Sequence, residues 1–525
     1  MTQAVVEPQA DSGAAPDAAR AKFRRPRWWR IAWYPLAVPI AFIVIVWSAT
    51  EVHPVWLLRP MIVTTVLILL LTVAFSALLR DPDRGALAAL AVVVGLVVND
   101  LRLTAVLLFI AWLVVAEGIM NLGRPWPRGP LVTRWLSITG ACLMFVTVLT
   151  TVQVGSLQDA VGDVLDDISR PRTGDGFDPA APNIHVVLLD GYPGDDAAAL
   201  DPGFDSEAFP RALQARGFDV QRHSRSNYLL TRLTLATMFA AEHIRDAEKL
   251  QPPHKSLAND SRRLRRFGDD GPVLRALAEA GYETVTIASD VSHLGLRRVD
   301  RVIDAPGVNE MEGVLLRASS VGALLERFFN EQVLDMRRSN VLAAFDNAAA
   351  VTPTGKRPMF EWVHVMAPHS PWVFDRNGNP VNDMPGLTWQ EPVSGPEGRA
   401  DRIQRTFAYV EFVNEQTLSL VDQLVERDPA GVIIIVSDHG SDTAFDARDP
   451  LGSDLDERSS NLLASRTPGR ARLFPAGTTP INVLPRLLNA YLGTSLPVQQ
   501  DTTWTWRPGG SILDAVPIDL KALQR

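Results

Sequence analysis

Two stretches of this chain end in residues that could do chemistry. Gly431 to Gly440 reads Gly-Val-Ile-Ile-Ile-Val-Ser-Asp-His-Gly. The Val and Ile run predicts a strand buried on both faces. Asp438 and His439 at its end offer a hard oxygen and an imidazole, a donor pair that suits a divalent metal. Taken alone, the pair could equally be a helix-capping Asp beside a surface His. Ile184 to Tyr192 repeats the pattern, an apolar run ending in Asp190-Gly191. If the two runs lie close in one parallel sheet, Asp190, Asp438 and His439 converge at the carboxyl ends of the strands. Open α/β sheets place their ligands there.

Two further stretches bear on the same point. Arg225 to Ala236 puts Ser226, Thr231 and Thr234 at the expected start of a helix. Any one of these hydroxyls is most often an N-cap. A hydroxyl there is also well placed for nucleophilic work, because the helix N-terminus favours an incoming anion. Coordination by a metal would lower its pKa further. Phe360 to Trp372 carries His364 on a strand and His369 in a loop. Pro368 and Pro371 restrict the backbone around His369, which predicts a positioned imidazole. His364 alternates with apolar residues and reads equally well as a satisfied core histidine.

These residues need a frame to hold them. From Asn183 onward the patterning alternates strand and helix. Strands are predicted at 184–189, 218–222, 283–288, 359–366 and 432–437. Helices are predicted at 206–216, 231–241, 272–280, 318–348, 401–427 and 480–492. That alternation predicts an α/β domain with a doubly wound, mostly parallel sheet. Residues 445–480 and 504–525 read as loop and tail, and no internal repeat is visible.

The first third of the chain has a different character. Residues 1–30 form a polar and then basic segment, with Arg20, Lys22, Arg24, Arg25, Arg27 and Arg30. Residues 31–155 hold five apolar runs: 31–50, 61–79, 86–98, 103–120 and 136–154. Most approach the roughly 20 residues that a bilayer-spanning helix needs. Alternate loops carry the arginines: the N-terminal cluster, Arg80 and Arg84, then Arg124, Arg128 and Arg134. The opposite loops carry Arg59 and Arg102. The positive-inside rule then predicts a cytoplasmic N-terminus, and an odd number of spans puts the rest of the chain outside. Residues 156–182 read as a linker, 183–505 as the exterior domain and 506–525 as a tail.

Composition removes other options. With 51 basic and 59 acidic residues in 525 there is no electrostatic footprint for nucleic acid. The single cysteine, Cys142, lies in an apolar run, which leaves no intrachain disulfide and no Cys-based metal site.

Taken together and in order, Ile184–Tyr192, Ser226–Ala236, His364–Pro371 and Ser437–Gly440 resemble the sulfatase-like branch of the alkaline phosphatase superfamily. The layout of five spans and an exterior domain is similar to its lipoteichoic acid synthases and phosphoethanolamine transferases. Ile481 to Asn489 resembles that family's closing segment. The resemblance implies an alkaline-phosphatase-like fold in which Asp190, Thr231, Asp438 and His439 hold one divalent metal ion, Mn, Mg or Zn. It implies that Thr231 is also the nucleophile and that His369 is a catalytic residue on the substrate side. His364 and Asn227 are expected to join His369 in binding substrate.

The implied function is a membrane-anchored phosphotransferase. It would move a phospho-substituent from a lipid donor to an envelope glycan or lipid through a phosphothreonine. Two departures narrow it. Lipoteichoic acid synthases carry Glu at the position of Asp190. True sulfatases carry Cys or Ser in a Cys-x-Pro-x-Arg context, which Cys142 lacks. The alternatives are a phosphodiesterase or sulfuric ester hydrolase of the same fold, and a non-catalytic membrane protein that binds an envelope component. With nine histidines in the chain and none after His439, one metal is expected rather than two.

Overall fold

Both Val- and Ile-rich runs are strands, and they are adjacent. A computed structural model describes residues 32–153, 176–244, 264–387 and 396–518, apart from residues 49, 51, 53, 125, 196–199, 265, 290–294, 297, 510–511 and 514. The basic N-terminal segment and most of the linker at 156–182 lie outside those residues.

The C-terminal domain is built on a seven-stranded sheet in the order β2-β7-β6-β1-β5-β3-β4. The strands are β1 (Ile184–Leu189), β2 (Asp219–Val220), β3 (Glu283–Ile287), β4 (Arg301–Ile303), β5 (Met359–Val365), β6 (Val432–Val436) and β7 (Leu463–Arg466). β1 is central and pairs in parallel with β5 on one side and β6 on the other. The chain therefore winds outward from β1 in both directions, and the ends of β1, β5 and β6 form the switch point.

Burial on both faces explains the uninterrupted hydrophobicity of these strands. Val187, Leu189, Val363 and Ile435 face one core, with Phe345, Tyr409 and Val413. Those partners lie on two long helices, Ser320–Ala350 and Pro396–Arg427. Ile184, Val186, Leu188 and Ile434 face a second core, with Leu235, Phe239, Leu277 and Leu484. The helices covering this side are Thr231–Ala240, Pro272–Glu279 and Pro480–Leu492.

Three pieces depart from expectation. β7 lies inside the presumed 445–480 loop and pairs antiparallel with β6. Its Leu-Ala-Ser-Arg sequence has no β-branched residue, and the pairing with β6, not local propensity, makes it a strand. β4 is only three residues long and pairs with β3 alone. Residues in the presumed tail form an antiparallel pair, β8 (Thr503–Thr505) with β9 (Val516–Ile518).

The N-terminal region is helical: α1 (Ala37–Ser48), α2 (Leu58–Leu79), α3 (Pro82–Val97), α4 (Leu101–Met120) and α5 (Gly129–Gln153). Three helices are long and apolar enough to cross a membrane: Pro54–Leu79, Leu101–Met120 and Gly129–Val152. These are three of the five expected spans, and α1 and α3 fall short of that length. Caps shorten α3: Asp81 accepts from the Asp83 and Arg84 amides, and Asp100 caps the next helix. Its 16 residues rise about 24 Å, short of the roughly 30 Å hydrocarbon core. α1, at 12 residues, is shorter still.

One end of this helical region grips the C-terminal domain. Arg59 pairs with Glu312 and donates to the Gly307 carbonyl at 2.6 Å. Asn99 donates to the Arg317 carbonyl at 3.3 Å, and the Thr104 and Ser320 hydroxyls meet at 2.7 Å. Trp47 and Trp56 pack with Met311. The opposite end carries Arg84, which donates to the Arg124 carbonyl and to Glu117.

Candidate active site

Each strand end delivers one acidic group, and the backbone beyond it is shaped to aim that group. The Asp190 amide donates to the Val365 carbonyl, which continues the β1–β5 ladder by one residue, and the His369 amide donates to the Asp190 carbonyl. Gly191 follows at φ +68°, a left-handed conformation that glycine adopts without strain. Its N–H donates to Asp438 Oδ1 at 3.0 Å, joining the ends of β1 and β6. The Ser437 hydroxyl accepts from the Tyr192 amide and donates to the His439 carbonyl. A side chain at Gly440 would meet the Glu457 and Ser460 carbonyls at 2.1 and 2.3 Å, so only glycine lets that segment close beneath His439.

Asp190, Asp438 and His439 each offer a ligand atom within 4.8 Å of the others, and all three are buried. Asp190 Oδ1 and Asp438 Oδ2 have no hydrogen-bond donor. Asp438 Oδ2 lies 2.9 Å from His439 Nε2. Burial works to raise the Asp438 carboxyl, but His439, the Thr231 hydroxyl and the Gly191 amide outweigh it. The group is held well below the usual carboxylate range. His439 Nδ1 sits 2.9 Å from the Gly440 carbonyl, and Arg458 Nη2 sits 3.0 Å from Nε2. Nε2 therefore has Asp438, Thr231 and Arg458 around it, while Nδ1 anchors the ring at the Gly440 carbonyl.

Thr231 opens the helix Thr231–Ala240, and the extended Leu230 precedes it as N-cap without a side-chain bond. Its Oγ1 lies 3.1 Å from His439 Nε2 and 3.5 Å from Asp190 Oδ2. The helix is held in place by Phe239, edge-on to Phe360 and Trp362. Thr234 Oγ1 ties it to the end of β6 by donating to the Asp438 carbonyl at 3.2 Å. The rival hydroxyls point elsewhere: Thr237 bonds the Leu233 and Thr234 carbonyls, and Ser226 is fully buried.

His369 joins the cluster from the loop after β5. Its Cβ lies 3.8 Å from the Cβ position of Gly191, and its Nδ1 is 2.7 Å from the Ser370 carbonyl. The peptide bonds Ala367–Pro368 and Ser370–Pro371 on either side are cis. Burial works to lower the His369 pKa, but Asp190, Asp442 and the Ser370 carbonyl outweigh it and raise it above the ordinary value.

Two expected substrate contacts take other positions. His364 is 1% exposed and its Nε2 bonds Asp190 Oδ2 at 2.9 Å. It orients the carboxylate from behind and borders a cavity of about 20 Å³, room for one water. Asn227 is completely buried. Its amide nitrogen donates to Thr479 Oγ1 and the Thr502 carbonyl, and its oxygen accepts from the Ile481 amide. It pins the closing segment of the domain and has no polar atom left for a substrate.

Arg458 escaped the sequence reading. It ends the short helix Leu455–Ser459 in a stretch that reads as polar loop. Its guanidinium is buried, lies over the Phe445 ring at 4.4 Å and donates to the Leu229 and Gly440 carbonyls as well as to His439. Burial lowers its pKa against the opposing pull of Asp442, Asp438, Asp190 and Glu457. The available signal was the Asp454-x-x-Glu457 pattern, a helix-start signature.

The fold is an α/β domain with an acidic metal-type site at its switch point. Residues 271–458 match the family model described as Sulfatase. That match includes Asp438, His439, His369 and Arg458 and starts after Asp190 and Thr231. No curated protein sequence matches the chain. Among solved structures it is similar to the soluble domain of lipooligosaccharide phosphoethanolamine transferase A from Neisseria meningitidis. The identity is 14%, over 61% of this chain and 90% of that one, at a TM-score of 0.37. It is similar to the C-terminal periplasmic domain of EcEptC from Escherichia coli in complex with Zn. There the identity is 13%, over 67% of this chain and 96% of that one, at a TM-score of 0.41. A phosphonate monoester hydrolase from Silicibacter pomeroyi is 15% identical over 60% of this chain and 74% of that one, at a TM-score of 0.41.

Proposed function

We propose that the chain is a membrane-anchored phosphotransferase. Thr231 would take a phospho-substituent from a membrane lipid and pass it to an envelope glycan or lipid. The observation that carries this reading is the Thr231 hydroxyl. It sits at a helix N-terminus, 3.1 Å from His439 Nε2 and 3.5 Å from Asp190 Oδ2.

The donor set fits a divalent cation. Two buried carboxylates keep one oxygen each without a donor, and an imidazole nitrogen lies beside them. Uncompensated carboxylate oxygens are costly in a buried site. Asp190, Asp438, His439 and Thr231 would hold the ion, with His364 and Gly191 orienting the carboxylates. When bound, the ion lowers the pKa of the threonine hydroxyl and offsets the charge gathering on the phosphoryl oxygens. Mixed oxygen and nitrogen donors suit Mn²⁺, Mg²⁺ or Zn²⁺.

The chain's own residues carry the rest. Thr231 gives up its hydroxyl proton to solvent, and its Oγ forms a bond to phosphorus as the bond from phosphorus to the lipid oxygen breaks. His369, on the substrate side of the cluster, gives the departing alcohol its proton. An acceptor hydroxyl then attacks the phosphothreonine, His369 takes its proton, and the Thr231 oxygen leaves. Arg458 adds a fixed positive charge beside the reacting centre. A threonine in the nucleophile position, with no formylglycine context around Cys142, favours phosphoryl over sulfuryl transfer.

Water in place of the acceptor would make the same site a phosphodiesterase. The test is product analysis of the full chain in detergent with a phospholipid donor, with and without an added acceptor. Transfer products that replace free phosphorylated headgroup when acceptor is present are expected. Hydrolysis at the same rate with or without acceptor would sink the transferase reading.

The same proposal places the site outside the cytoplasm. The turns on the domain-facing side carry Arg59 and Arg102, whereas Arg80, Arg84, Arg124 and Arg128 lie at the far end. A C-terminal reporter active only outside the cytoplasm should be active. Activity confined to a cytoplasmic reporter would overturn this orientation.

A further inference from the structure

Where the helical region meets the exterior domain there is a cavity of about 460 Å³. That volume falls in the range of small-ligand pockets. α1, α2 and α3 form three walls, and the fourth is the segment around the helix Glu310–Arg317 of the exterior domain. Phe42, Leu67, Leu71, Val93, Leu315 and Leu316 line it.

Three of its 18 lining residues carry polar side chains, Thr64, Glu312 and Ser319. The Glu312 carboxylate accepts from Arg59 and from the Asn309 amide. Ser319 Oγ donates to the Leu316 carbonyl. A water needs two to four polar partners, and the largely apolar walls favour an apolar occupant instead. The α2 rim opens outward: Val63 is 49% exposed and Leu67 is 59% exposed. On the reading of α2 as a membrane span, that rim faces lipid tails. The polar limit of the cavity is the Arg59–Glu312 pair, at the side of the exterior domain. The space thus has one polar end, apolar walls and an opening toward the bilayer.

We propose that this cavity takes one acyl chain of a membrane phospholipid. The ester end lies at the Arg59–Glu312 pair and the tail runs between α1, α2 and α3. Burial of each methylene favours entry. The occupied cavity would make a lipid part of the joint between the membrane region and the exterior domain. The inference rests on the reading of the apolar helices as membrane spans. It does not depend on the transfer reaction.

The experiment uses the full chain reconstituted in phosphatidylglycerol vesicles that contain a phospholipid with a photoactivatable diazirine in its acyl chain. Labelled peptides are mapped by mass spectrometry. Label is expected on residues 308–317, which belong to the exterior domain, and on the outward face of α4 at Phe109 and Trp112. Thr64→Trp and Leu315→Trp, which fill the cavity from opposite walls, should each lower the 308–317 label several-fold. The α4 label and the melting temperature should stay unchanged. If one variant fails to fold, the other still decides. Label on α4 with none on 308–317, or label on 308–317 that both fillings leave unchanged, would overturn the cavity assignment alone. No label on α4 would overturn the membrane reading and this inference with it.

Discussion

Thr231→Ala is expected to abolish turnover, with a loss of roughly 10⁴-fold or more, the scale seen when a covalent nucleophile is removed. The fold should survive, because the hydroxyl is at the first turn of its helix and its contacts are to the site residues His439, Asp190 and Asp438. Thr231→Ser keeps the oxygen and should keep measurable activity. Thr234→Ala is the informative contrast. Its hydroxyl donates to the Tyr228 and Asp438 carbonyls inside the core. Its loss should cost about 1 kcal/mol of stability and leave substantial turnover. Brief exposure of the wild-type chain to donor without acceptor should leave a phosphorylated headgroup on the peptide containing Thr231, and Thr231→Ala should not acquire it. Full turnover in Thr231→Ala would end the nucleophile assignment.

The parts of the site that were legible in the sequence are those set by local pattern. A run such as Val-Ile-Ile-Ile-Val has few uses outside a doubly buried strand. The residue after such a run must sit at a strand end, which located Asp190 and Asp438. What the sequence could not reveal depends on partners distant along the chain. β7 is a strand because β6 offers it a ladder, and nothing within Leu463–Arg466 announces that. Arg458 reaches His439 through a short turn whose geometry is set by carbonyls of Leu229 and Gly440. Asn227 looks like a site residue because it neighbours Thr231, yet its amide locks onto residues some 250 positions later. His364 was ambiguous by alternation alone, and only the register with β1 puts it across from Leu188 and within reach of Asp190. In the membrane region hydropathy located all five helices. Their caps at Asp81 and Asp100, which set the usable length of α3, decided the number long enough to span.

Metal analysis of the purified full chain should find one divalent ion per molecule, and Asp438→Asn or His439→Ala should lose it. Among the described residues, Asp190, Asp438 and His439 form the one group of three or more acidic, histidine or cysteine side chains close enough to hold an ion. A two-metal catalyst needs a second set of ligands about 3.5–4 Å farther on. The nearby candidates are otherwise engaged. His369 Nδ1 is 2.7 Å from the Ser370 carbonyl, and Asp442 acts on both His369 and Arg458. Arg458 itself is a buried cation 3.0 Å from His439 Nε2. Its fixed charge adds to that of a single ion beside the reacting centre. The ion should also stabilise the fold, since it binds the assembled cluster and not the unfolded chain. At a hundredfold excess over its dissociation constant the gain is about 2.7 kcal/mol. A chelator should lower the melting temperature of the wild-type chain and leave that of Asp438→Asn unmoved. Two stoichiometric ions, or a chelator effect that survives in Asp438→Asn, would contradict a single site at these residues.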